Sequence, residues 1–155
     1  MASGSAFFQV TKDTKMSKEL IQQVTAPNGS MFTGSGTNSY LIGREDITLI
    51  DPGPKIDEHI EKLIKLGEGK IKRILVTHTH RDHSPAAKVI GEILNVPLMG
   101  RLVEKDDTLQ DKTFKPERVL GHGDLIETAE YTIESIHTPG HASNHLCFLI
   151  REEKA

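Results

Sequence analysis

The chain has 155 residues, enough for one domain of ordinary size, with 36% hydrophobic and 26% charged residues. No apolar run approaches the ~20 residues of a membrane helix and no signal peptide is recognisable, so a cytoplasmic protein without a membrane partner is expected. The single cysteine excludes an intrachain disulfide, and a net charge of −3 argues against stable nucleic-acid binding through bulk charge.

Residues 1–18, opening MASGSAFF, read as a disordered lead-in or a cloning scar, with folded chain from 19 to 155. The first strands are SYLIG (39–43) and DITLIDPGP (46–54), joined at Arg44 and Glu45 and closed by Gly and Pro. Ile56, Ile60, Leu63 and Ile64 then fall on one helical face. Lys62 and Lys65 suit the last turn of that helix, Gly67 suits a left-handed cap, and His59 falls among polar residues as a solvated side chain. The run IKRILV (71–76) predicts a buried strand.

Ser84 suits an N-cap and Pro85 a first helical position, ahead of a face of Ala86, Val89, Ile90, Ile93 and Leu94. A short strand is expected at Val96–Met99, and Arg101–Pro116 is polar without a clear pattern. RVLGHGDLIETAEYTIESIHT (118–138) predicts strands with a tight turn at Gly121–Gly123, which leaves His122 exposed. HLCFLI (145–150) predicts a last strand with Cys147 buried. Strands alternating with helices indicate an α/β domain.

The strand at 71–76 runs directly into THTHRDH (77–83). If the chain stays extended after Val76, His78 and His80 point to one side and suit a metal. Asp82 and His83, one turn on, can face a second metal. Neutral imidazole with carboxylate suits zinc, and also manganese or iron. A polar loop with fortuitous histidines is the bland alternative, and this spacing serves a metal too directly to favour it. In IHTPGHASNH (136–145), Pro139 and Gly140 make a sharp turn that presents His141, assigned to the first metal with His78 and His80. His137 and His145 are left as structural or supporting residues.

These residues resemble the metallo-β-lactamase superfamily. THTHRDH matches its HxHxDH signature, IDPGP its strand-end aspartate motif at Asp51, and HTPGH its third motif at His141. TGSGTNSYLIG (33–43) and HTPGHASNHLCFLI are similar to its β-lactamase-like protein branch, which includes endoribonucleases, with glyoxalase-II-like enzymes nearby. The resemblance implies an α/β (α+β) fold, the αββα sandwich. It also implies a first metal on His78, His80 and His141, and a second on Asp82 and His83. Asp51 would orient the ligands by hydrogen bonds, and Asp82 would be catalytic by orienting the nucleophile. The implied activity is that of a metal-dependent hydrolase: zinc-bound hydroxide, on one or two ions, attacks a phosphodiester of a short RNA or a small-molecule thioester.

The family pattern continues with a bridging aspartate and a later histidine that have no counterpart after Asp124. Residues 19–155 are therefore expected to be the N-terminal half of the sandwich, holding at most one tightly bound metal. Its inner face, with Leu41, Leu49, Leu75 and Leu146, is expected to lack cover unless a second copy or the C-terminal half supplies it. Two alternatives to an enzyme follow: a metal-binding fragment without turnover, and a half-domain that docks a partner chain.

Overall fold

The computed structural model describes residues 20–105 and 108–153, so the expected lead-in at 1–18 lies outside the described residues. Six strands form one mixed sheet in the order β1-β2-β3-β4-β5-β6. They are β1 (Ile21–Thr25), β2 (Asn38–Ile42), β3 (Ile47–Ile50), β4 (Ile71–Leu75), β5 (Leu98–Gly100) and β6 (Arg118–Val119). The first three are antiparallel, and β3 to β6 run parallel. Parallel neighbours need crossovers. Helix α1 (Asp57–Gly67) supplies the one between β3 and β4, and α2 (Pro85–Leu94) the one between β4 and β5. A second, antiparallel sheet holds β7 (Leu125–Glu127), β8 (Thr132–His137) and β9 (Leu146–Ile150).

Period-2 alternation divides the core in two. Leu41, Leu49 and Ile74 are cross-strand partners on one face, where they pack with Ile60, Leu63, Ala87 and Ile90 from the helices. One residue on, Ile42, Ile50 and Leu75 face the other way, against Ile126, Ile133, Leu146, Phe148 and Ile150 of the second sheet. This corrects the expected bare inner face: Leu41, Leu49, Leu75 and Leu146 are all buried, and they do not share a face. Each large side chain so buried contributes about 1.5–3 kcal/mol. Tyr131 clasps the two sheets, donating from its hydroxyl to Asp46 O at 2.6 Å and lying 2.8 Å from Thr48 Oγ1. The resulting order, helices on a sheet on a sheet, is the first three layers of an αββα sandwich.

Local details differ from the sequence expectation for identifiable reasons. β1 carries no alternating pattern, since only Ile21 and Val24 are buried along it. Gly67 ends α1 but does not take the left-handed conformation, which falls on Glu68 at φ 48°. A Cβ at Gly67 would lie 2.5 Å from Ile71, so glycine serves the close approach of helix to strand. The Gly121–Gly123 turn passes the chain from the first sheet to the second, not between hairpin partners. Cys147 lies half-buried on β9. Among the described residues no helix is long and apolar enough to cross a membrane.

Candidate metal centre

Open α/β sheets deliver side chains to one place at the carboxyl ends of their parallel strands. β3 ends at Ile50, just before Asp51, and β4 ends at Leu75, two residues before Thr77 and His78 in the loop to α2. The β8–β9 loop reaches the same place and is braced there. Leu146 N donates to Thr77 O at 2.7 Å, and Asn144 Nδ2 donates to Thr79 Oγ1 at 2.9 Å and to Arg101 O at 2.8 Å. Asn144, fully buried, is a tie between the two site loops that the sequence reading did not single out.

His78, His80 and His141 each offer one ring nitrogen within a common 4.8 Å. Their ring centroids lie 4.6, 4.7 and 5.1 Å apart at interplanar angles near 80°, so their edges converge. His80 Nδ1 and His141 Nε2 are 3.1 Å apart. Two imidazole nitrogens bound at ~2.0–2.1 Å to a tetrahedral zinc would stand about 3.3 Å apart, so the spacing is close to what a metal needs.

Hydrogen bonds fix which nitrogen of His78 faces the centre. Thr77 Oγ1 donates its one proton to Asp51 Oδ2 at 2.6 Å, so towards His78 Nδ1 at 2.9 Å it can only accept. His78 therefore carries its proton on Nδ1 and presents the Nε2 lone pair. Nε2 is buried without a hydrogen-bond partner, as a metal-binding nitrogen requires. Burial, with the neighbouring imidazoles of His83, His80, His145 and His141, pushes the His78 pKa far down and keeps it neutral.

Asp51 is fully buried and takes a left-handed backbone at φ 48°, a conformation that costs a non-glycine residue about 1–3 kcal/mol. Its carboxylate accepts from Thr77 N at 2.7 Å and from His83 Nδ1 at 2.9 Å, besides the Thr77 hydroxyl. His83 Nε2 lies 3.3 Å from Asp82 Oδ2. Burial alone would lower the His83 pKa, but the charge and hydrogen bond of Asp51, joined by Asp82, raise it to about 10. Asp82 remains 38% exposed at the side chain. Burial would raise its pKa, yet the hydrogen bond and charge of His83 bring it below the ordinary value.

Asp51, His78 and His83 also meet the geometry of a ligand group. Asp51 is committed to Thr77 and His83, however, and His78 is turned towards His80 and His141, so this trio is a support for the first group. Asp82 and His83 lie together, as the sequence suggests, but Asp82 belongs to neither ligand group among the described residues. His137 braces the loop by a 2.9 Å contact from Nε2 to Ser143 O. His145 is buried, with Nδ1 2.9 Å from Thr138 Oγ1 and its ring 5.1 Å from that of His78. His122 is exposed in its turn. His59 departs from expectation: it is 1% exposed, beneath the site, not solvated on α1.

Comparison with known proteins follows the same pattern. The family model described as the metallo-beta-lactamase superfamily matches residues 32–155. An atrochrysone carboxyl ACP thioesterase of Aspergillus chevalieri is 32% identical over 140 residues, 87% of this chain and 43% of that protein. Lactamase-like protein ptaB of Pestalotiopsis fici is 30% identical over 141 residues, 87% of this chain and 42% of that protein. The chain thus spans less than half the length of these curated relatives. Among solved structures, BJP-1, a subclass B3 metallo-beta-lactamase of Bradyrhizobium japonicum, superposes with a TM-score of 0.63 at 24% identity, covering 74% of this chain and 52% of that one. A metallo-beta-lactamase mutant from Cronobacter sakazakii gives a TM-score of 0.69 at 17% identity, covering 85% and 56%. At these identities the structural likeness speaks for the fold.

Proposed function

We propose that this chain, which belongs to the metallo-beta-lactamase superfamily, is the metal-holding part of a zinc-dependent thioester hydrolase. The observation that carries the reading is the convergence of His78, His80 and His141, with the Nε2 lone pair of His78 buried and unpartnered. Three neutral imidazoles suit one zinc per chain with an open position. A metal held there would supply Lewis acidity, lowering the pKa of a coordinated water to ~7. The chain's own part is orientation and proton handling. Asp51 and Thr77 align His78, and Asp51 aligns His83. Asp82, kept ionised beside them, would accept the proton of the attacking water. The water oxygen joins the acyl carbon, the C–S bond breaks, and that proton passes to the departing thiolate.

Two things favour a thioester over a phosphodiester. The relatives named above include an acyl-carrier-protein thioesterase. The β1–β2 hairpin also leaves the sheet at the end where Asp51 lies, as the 2.7 Å bond from Ser39 Oγ to Asp51 O records. It carries Met31 and Phe32, 98% and 84% exposed, an apolar tip better matched to an acyl chain than to a phosphate backbone. The test is a substrate panel with added zinc or manganese: acyl-pantetheine thioesters beside single-stranded RNA. Zinc-dependent thioester cleavage, lost in His78→Ala, is expected. Cleavage of RNA alone would reassign the substrate, and zinc binding with no cleavage of either would leave a metal-binding part without turnover.

A further inference from the structure

We infer that His59, far from the ligands in sequence and on the opposite side of Asp51, is a positioning residue for the metal centre. It acts through Ser39 on the backbone of Asp51. His59 lies on the first turn of α1, 1% exposed, and its Nε2 is 3.0 Å from Ser39 Oγ. Ser39, fully buried on β2, donates its only hydroxyl proton to Asp51 O at 2.7 Å. Towards His59 the hydroxyl can then only accept, so Nε2 of His59 carries the proton and donates it.

The consequence falls on Asp51. Its left-handed backbone is held on one side by its own N–H bonded to Leu75 O at 2.9 Å, and on the other by Ser39 on its carbonyl. With both flanking peptides pinned, the carboxylate is aimed at Thr77 and His83, and through Thr77 at His78. Helix α1 is thereby coupled to the ligand loop by one chain of hydrogen bonds: His59, Ser39, Asp51, Thr77, His78. The second nitrogen of His59, Nδ1, is buried with no partner. A residue kept for packing alone would be better served by leucine, which has no orphaned polar atom. If donation to Ser39 is what His59 is kept for, glutamine, whose side-chain amide can donate to the same hydroxyl, should stand in for it where leucine cannot.

The effect on metal affinity rests on the reading proposed above, so the experiment has one arm that does not. In the metal-free chain, the proton shared by Asp51 and His83 is followed as a downfield NMR resonance, with the thermal midpoint beside it. In the second arm, zinc affinity is measured by chelator competition. His59→Leu and Ser39→Ala should shift or lose the resonance and weaken zinc binding roughly 10- to 100-fold, the range for residues that orient metal ligands. His59→Gln should keep both near wild type. The double variant His59→Leu with Ser39→Ala should be no worse than Ser39→Ala alone. A folded His59→Leu with wild-type resonance and affinity overturns the inference. If that variant does not fold, an unchanged resonance in Ser39→Ala overturns it as well. Wild-type chain that binds no zinc would refute the metal reading, and the resonance arm would still decide the positioning.

Discussion

Replacing Thr77 by valine keeps the side-chain volume and deletes the one hydroxyl that joins Asp51 to His78. That hydroxyl donates to Asp51 Oδ2 at 2.6 Å and accepts from His78 Nδ1 at 2.9 Å. In the variant the His78 N–H faces a methyl group in a buried site, and a buried donor without its partner costs about 1–3 kcal/mol. Metal-free chain relieves part of that cost by moving the proton to Nε2. Metal-loaded chain has no such escape, because Nε2 is its ligand. The cost therefore appears in affinity, and at ~1.4 kcal/mol per factor of ten zinc binding should weaken roughly 5- to 150-fold. Competition against a chromophoric chelator measures it, and Thr77→Ser, which keeps the hydroxyl, is the control. A valine variant that binds zinc within twofold of wild type would refute the assignment of the His78 tautomer and of Nε2 as the ligand atom.

Tyr131→Phe removes the hydroxyl's contacts to Asp46 O and Thr48 Oγ1, each with a net worth of about 0.5–1.5 kcal/mol, and a longer one at 3.4 Å from Arg73 Nη1. The thermal midpoint should fall by roughly 2–10 °C, and no fall would show that the apolar interface alone holds the sheets together. The metal-free chain should also lose stability in alkali. The folded pKa of His83 is raised from 6.5 to about 10, so its contribution is complete below the unfolded value and disappears as pH rises through about 10. Denaturant midpoints across that window should drop in wild type and lose this dependence in His83→Asn. An equal slope in both would remove His83 as the cause.

Much of the site is legible because it is local. A buried strand that runs into THTHRDH and a Pro139–Gly140 turn at a strand end announce four side chains of one loop and one of another; the structure groups His78, His80 and His141, and pairs Asp82 with His83. What fails to show in the sequence depends on register and long-range contact. Leu49 and Leu75 look equivalent, yet a one-residue offset between paired Leu49–Ile74 and Ile50–Leu75 sends them to opposite faces. The cover of the inner sheet face comes from short strands whose sheet membership no local pattern specifies, since β6 joins the first sheet and β7 the second. His59 looks polar beside Glu58 and Glu61, but it sits three residues after Ile56 and four before Leu63, on the buried stripe. Helical spacing held that signal; residue type obscured it. Thr77 and Asn144 give no sequence signal of their own, because their roles arise only where two loops meet.

X-ray absorption at the zinc edge, on wild-type chain dialysed after zinc loading, reads the ligands of the bound ion themselves. One zinc per chain is expected, with three imidazole nitrogens at ~2.0–2.1 Å, and loss of that ion in both His80→Ala and His141→Ala. Zinc retained with an unchanged imidazole count in His141→Ala, or no zinc retained by the wild-type chain, would contradict that expectation.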